Sequence, residues 1–114
     1  MLQKQGELHE ASQRLGELLR VDPENVQAHN NLGIVLARQG KTGDAVAAYR
    51  KALARNPRYR QASANLGAVY EQQGRVAEAL REYERLVSIA PGDTDARLRL
   101  AQTQLAMDRP QDAR

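Results

Sequence analysis

The chain has 114 residues, enough for one domain of ordinary size or a short run of repeats sharing a core, but too few for two independent domains of that size. Apolar residues make up 41% of it but aromatics only 4%, with no Trp and no Phe, so the core must be built from Leu, Ala, Val and four Tyr, a set that suits closely packed helices better than a sandwich or barrel. The net charge of +3 arises from 14 Arg and 3 Lys interleaved with 14 acidic residues, a solvated surface rather than a polyanion-binding stripe, and the absence of Cys excludes disulfides, thiolate metal sites and a Cys nucleophile.

Six helices are expected in chain order, near 7–20, 25–39, 42–55, 59–73, 76–89 and 93–107. The first follows Gly6, carries Ala11 and Leu15, and ends before Pro23. The second and third hold Leu32 and Leu36, then Ala45, Tyr49 and Leu53, with Gly40 between them and Pro57 after them. The fourth and fifth repeat this order with Leu66, Gly74, Ala79, Tyr83 and Pro91, and the sixth contains Leu100. Most of these markers recur at an interval of 34 residues: Pro23, Pro57 and Pro91; Gly6, Gly40 and Gly74; Ala11, Ala45 and Ala79; Leu32, Leu66 and Leu100; Tyr49 and Tyr83. Each Pro is expected to end one helix or start the next, each intervening Gly to permit a tight reversal, and Asp22 and Asp93 to cap the helices that follow them.

Leu32-Gly33 with Leu36, Ala45 with Tyr49 and Pro57, and then Leu66-Gly67 with Tyr70, Ala79 with Tyr83 and Pro91, resemble the tetratricopeptide repeat over nearly the whole chain. His29, Ser63 and Arg97 depart from that family at a position where it often carries a bulky aromatic. The resemblance implies an all-α fold, a right-handed superhelical solenoid of antiparallel helix pairs, in which Gly33, Gly67, Ala45 and Ala79 allow close approach while Leu32, Leu66, Tyr49 and Tyr83 fill the space between helices. The expected organisation is one array: a partial repeat at 1–23 holding a second helix, full repeats at 24–57 and 58–91, and a partial repeat at 92–114 in which Asp108 to Ala113 form a turn entering a second helix. Neither end reads as a polar capping helix, so the expectation is a fragment of a larger protein, or a chain that completes its ends by self-association.

Such arrays present the first helix of each pair on a concave groove that takes peptides or helices. Helical spacing assigns Gln27, Asn30, Asn31, Ile34 and Arg38 to that face, followed by Gln61, Ala64, Asn65, Ala68 and Gln72, and then Asp95, Arg99 and Gln102. Asn31, Asn65 and Arg99 keep the 34-residue interval. A side-chain amide both donates and accepts, so a row of them can hold an extended backbone whatever its side chains, as in the asparagine ladders of some tetratricopeptide arrays. The alternative is that these amides only hydrate the groove or bond neighbouring helices. The family's clamp for the C-terminal carboxylate of chaperone tails is not reproduced: Asn65 and Arg99 match two members, but Ile34, Gln61 and Asp95 stand where others belong.

No enzyme, metal site or cofactor is expected. His9 and His29 lie on separate helices without partners at ligand spacing, and read as surface or packing residues. Glu71, Glu78, Glu82 and Glu84 fall near Arg75, Arg81 and Arg85 at ion-pair spacing, and no Gly-rich phosphate loop follows a strand. Arg55, Arg58 and Arg60 cluster with Tyr59 at one junction, without further aromatics for base stacking, so nucleic acid is not the expected partner; an acidic protein or an anionic polysaccharide remains open. No stretch has the length needed to span a bilayer, and the composition suits cytoplasm and periplasm alike. The reading is therefore a protein-binding scaffold acting through its groove. Its alternative is a structural segment of a bacterial envelope or exopolysaccharide-export protein acting through its ends or convex face, a style suggested by richness in Ala, Arg, Gln and Leu.

Overall fold

The computed structural model describes residues 2–108, with side chains from Lys4 onward. Among these residues the chain is six helices: α1 (Leu2–Val21), α2 (Val26–Arg38), α3 (Thr42–Arg55), α4 (Arg60–Gln72), α5 (Val76–Ile89) and α6 (Thr94–Met107). It is an all-α helical repeat array, and α2 to α6 begin and end within one residue of the bounds read from the periodicity. The turn expected from Asp108 to Ala113 lies, after its first residue, outside the described residues.

Two kinds of connection alternate, each dictated by its own residue. Within a pair the helix ends in a Schellman-type turn: Gly40 adopts φ +82° and Gly74 φ +76°, the left-handed region that only Gly enters without strain. The Gly40 N–H donates to the Ala37 carbonyl at 3.0 Å and the Lys41 N–H to that of Leu36 at 2.9 Å; Gly74 and Arg75 repeat this with Glu71 and Tyr70, at 3.0 and 2.8 Å. Between pairs each Pro is the second residue of a β-turn, closed by N–H donation from Asn25 to Asp22 (3.2 Å), Tyr59 to Asn56 (3.0 Å) and Asp93 to Ala90 (3.0 Å). The fixed φ of Pro suits that position, and no ladder N–H is lost there.

Two sequence expectations need correction. Asp93 does cap α6, its carboxylate accepting the Ala96 N–H at 3.1 Å, but α2 is capped by Asn25, which accepts the Ala28 N–H at 2.8 Å. Asp22 sits three residues too early; its carboxylate instead takes the Asn25 side-chain amide at 3.1 Å and fixes the cap. Gly6 makes no reversal either, because α1 runs through it from Leu2, and the residues before it are mostly good helix formers.

The chain divides into two compact units, one up to Ala62 and one from Ser63. In the first, α2 packs on both α1 and α3. Ala28, Val35, Ala45, Val46, Tyr49, Ala52 and Leu53 are buried. In the second, α5 packs on α6, and Leu66, Val69, Tyr70, Ala79, Tyr83, Leu86 and Ala96 are buried. The small residues do what their spacing suggested: a Cβ on Gly33 would lie 2.6 Å from Cδ1 of Tyr49, and one on Gly67 2.6 Å from Cε1 of Tyr83. Each Gly is the seat for a Tyr ring. No described helix is long and apolar enough to cross a membrane.

Candidate binding surface

On α2 the residues Gln27, Asn31, Ile34 and Arg38 follow an i, i+4, i+7, i+11 stripe; on α4 the equivalent stripe is Gln61, Asn65, Ala68 and Gln72, and on α6 Asp95, Arg99 and Gln102. Gln27, Arg38, Gln61, Gln72 and Gln102 are exposed, while Asn31, Ile34, Asn65 and Arg99 are half-buried. Asn30 departs from the group. It is 3% exposed, one residue off the stripe and turned into the protein, where it has a polar partner of its own. Two consecutive residues on a helix differ by about 100°, so Asn30 and Asn31 cannot share one narrow face.

Arg99 is the most constrained member. Its Nε donates to the Asp95 carboxylate at 3.0 Å, one turn earlier on α6, and its charge is felt by the Tyr83 phenol. Tyr83 in turn donates to Glu71 Oε1 at 2.9 Å. The single hydroxyl proton of Thr103 serves the Arg99 carbonyl at 2.7 Å, and the same oxygen lies 3.3 Å from Glu71 Oε2. Residues from α4, α5 and α6 thus form one polar network beneath Arg99. Burial, reinforced by the Glu71 carboxylate and opposed by Arg99, pushes the Tyr83 phenol up to about 12. Burial also raises the Tyr49 phenol, with Arg38 pulling the other way.

The network was not legible as a repeat. The positions 34 residues before Glu71 and Thr103 are Ala37 and Val69, so periodicity gave no signal. Sequence spacing had placed Glu71 beside Arg75. Arg75 pairs instead with Glu78, Nε to Oε1 at 2.7 Å, and lies 4.7 Å over the Tyr70 ring, while Arg85 approaches Glu82 at 3.7 Å. His29 is a packing residue: it is buried, with Nε2 2.8 Å from the Pro23 carbonyl. Among the described residues no group of three or more His, Cys, Asp or Glu could hold a metal ion. Apolar side chains stand exposed on α6, with Leu98 at 54% and Leu105 at 57%.

Comparison with known proteins agrees with this architecture. The first tetratricopeptide unit of Spaghetti, bound to the HSP90 peptide SRMEEVD, is 27% identical with a TM-score of 0.83, over 92% of this chain and 83% of that one. MamA is 26% identical with a TM-score of 0.83, over 89% of this chain and 59% of that one. A thermophilic tetratricopeptide protein of Thermus thermophilus is 33% identical with a TM-score of 0.81, over 88% of this chain and 51% of that one. The chain therefore spans little more than half of the last two. No curated protein matches the sequence significantly. The family described as tetratricopeptide repeat, whose members are generally non-catalytic scaffolds, matches residues 2–52 and 35–94. With the 34-residue period, the glycine-seated tyrosines and these matches together, the chain belongs to the tetratricopeptide repeat family.

Proposed function

We propose that this protein is a non-catalytic scaffold that binds an extended peptide or partner segment along the first-helix stripes of its repeats. The observation that carries this reading is the recurrence of Asn31, Asn65 and Arg99 at one interval, each half-buried on a stripe otherwise edged by exposed Gln27, Gln61, Gln72 and Gln102. Half-buried amides have limited conformational freedom left to lose on binding, and each can both donate to and accept from a peptide backbone. Arg99 adds a cation held in place from Asp95, suited to a carboxylate. The similar Spaghetti unit is bound to an HSP90 peptide, which supports a peptide as the ligand class. Repeat boundaries at 24–57 and 58–91 belong to the same proposal, since each would supply one stripe.

The test is affinity capture from a lysate of the source organism with the parent chain and an Asn31→Ala, Asn65→Ala, Arg99→Ala variant of equal helicity. Loss of one partner with the variant supports the groove; retention of every partner overturns it. The exposed Leu98 and Leu105 on α6 favour a second reading, in which the array stacks on a further helix through that end, and capture insensitive to the triple variant but abolished by Leu98→Gln with Leu105→Gln would establish it.

A further inference from the structure

The first unit contains a cavity of about 430 Å³ lined by Leu19 of α1, Leu32 and Leu36 of α2, and Asp44, Ala48 and Lys51 of α3. Its origin can be read by stepping 34 residues along the chain. Where the first unit has Leu36 and Ala48, the second has Tyr70 and Glu82. Tyr70 is 1% exposed and Leu66 equally buried, whereas Leu36 and Leu32 remain half-buried. Smaller residues at these positions accompany the open cavity of the first unit.

Leu32 and Leu36 also lie about half a turn around α2 from the Gln27–Asn31–Ile34–Arg38 stripe, so this cavity is separate from the groove proposed above. Charge gives the occupant its chemistry. Between Asp44 and Glu71 the sequence carries Arg50, Lys51, Arg55, Arg58 and Arg60 and no acid, while the rest of the chain has two more acids than cations. Lys51 is on the cavity rim, and the next turn of α3 carries Arg55, which reaches across to Glu24 in an ion pair. Asp44, about two turns before Lys51, marks the opposite end of the rim as one that repels an acid.

We propose that this cavity is a second docking site, taking an acidic protein segment that inserts a leucine-like side chain over Leu36 and Ala48 and sets a carboxylate against Lys51. The apolar floor selects the anchor, and the rim fixes its direction, since an acid is favoured only at the Lys51 end. A polyanion such as nucleic acid would use the cations without needing the floor, which makes the two distinguishable.

The experiment uses the whole chain and three synthetic peptides: one pairing leucines with a following Asp/Glu run, one with those leucines changed to serine, and one with the acids changed to amides. Fluorescence anisotropy should show binding of the first, weakened about tenfold or more by either change and by Leu36→Tyr or Lys51→Glu in the protein. The Asn31→Ala, Asn65→Ala, Arg99→Ala variant should bind it unchanged. Lys51→Glu is exposed and keeps the test open should Leu36→Tyr fold poorly, as circular dichroism would reveal. Absence of binding by the leucine-acid peptide, binding indifferent to Leu36→Tyr in a folded variant and to Lys51→Glu, or tighter binding of single-stranded RNA than of the peptide, overturns the proposal.

Discussion

The α2–α3 and α4–α5 pairs are built on one 34-residue template, and they differ in how its central tyrosine and its outer layer are completed. Tyr49 and Tyr83 both press on a glycine and both lose contact with water. Around Tyr83 the second unit adds Glu71, Arg99 and Thr103, and in its outer layer Tyr70 lies beneath Arg75. The first unit has Ala37 and Leu36 where Glu71 and Tyr70 stand, and keeps an open cavity. A repeat thus fixes its backbone with few residues, chiefly Gly, Ala, Tyr and Pro, and leaves the remaining positions free to make one copy rigid and another receptive.

The sharpest way to break the comparison is to remove what both copies share. Tyr83→Ala should cost roughly 3–5 kcal/mol, because the cavity left against Gly67 cannot collapse onto a residue without a side chain, and the same change at Tyr49 should cost less by the value of the polar network. Urea unfolding followed by circular dichroism measures both. Next in size is Gly67→Ala, which sets a Cβ 2.6 Å from the Tyr83 ring and should cost about 1–3 kcal/mol. Gly43→Ala, whose Cβ meets nothing within 4 Å, is the control and should be neutral or stabilising.

Tyr83→Phe separates the network from the packing. It leaves the ring and removes the hydroxyl, so Glu71 loses its 2.9 Å donor, and the expected cost is about 1–2 kcal/mol against less than that for Tyr49→Phe. The pH dependence gives an independent readout. The phenol titrates near 10.0 when unfolded and is raised to about 12 when folded, so between these values the native state holds a proton that the unfolded state has released. Stability from this group is therefore complete below pH 10 and falls as pH rises toward 12. Tyr83→Phe should flatten that part of the stability profile, and an unchanged slope would show that the hydroxyl is not held as described.

These contrasts also explain what could be read in advance. Helix bounds and the glycine seats were legible because Pro23, Gly33, Gly40, Tyr49 and their copies recur, and recurrence marks residues whose backbone role is the same each time. The stripe of Gln27, Asn31 and Ile34 followed from helical geometry alone. Asn30 did not, because burial depends on which neighbour covers it, and Asn25 displaced Asp22 as cap because a three-residue shift in a turn changes which oxygen faces the helix N–H groups. The Glu71–Tyr83–Thr103 network and the cavity under Leu36 were hidden for the converse reason. Each exists where one copy departs from the other, and a period reports only what is kept.

The smallest expected effect is the one that tests whether the two outer layers are interchangeable. Leu36→Tyr gives the first unit the residue the second already uses, and a ring occupying the 430 Å³ cavity should stabilise the chain by about 0.5–1 kcal/mol, short of a full aromatic burial. Two substitutions limit the gain. Lys41 stands where Arg75 covers Tyr70 at 4.7 Å, and an ammonium stacks on a ring less well than a planar guanidinium; Ala48 stands in place of Glu82. Adding Lys41→Arg to Leu36→Tyr should therefore recover part of the difference, while Lys41→Arg alone should leave the unfolding midpoint where it was. Non-additivity of that pair in a double-mutant cycle would show that the filled outer layer is a cooperative unit, and strict additivity would show that cavity volume alone separates the two repeats.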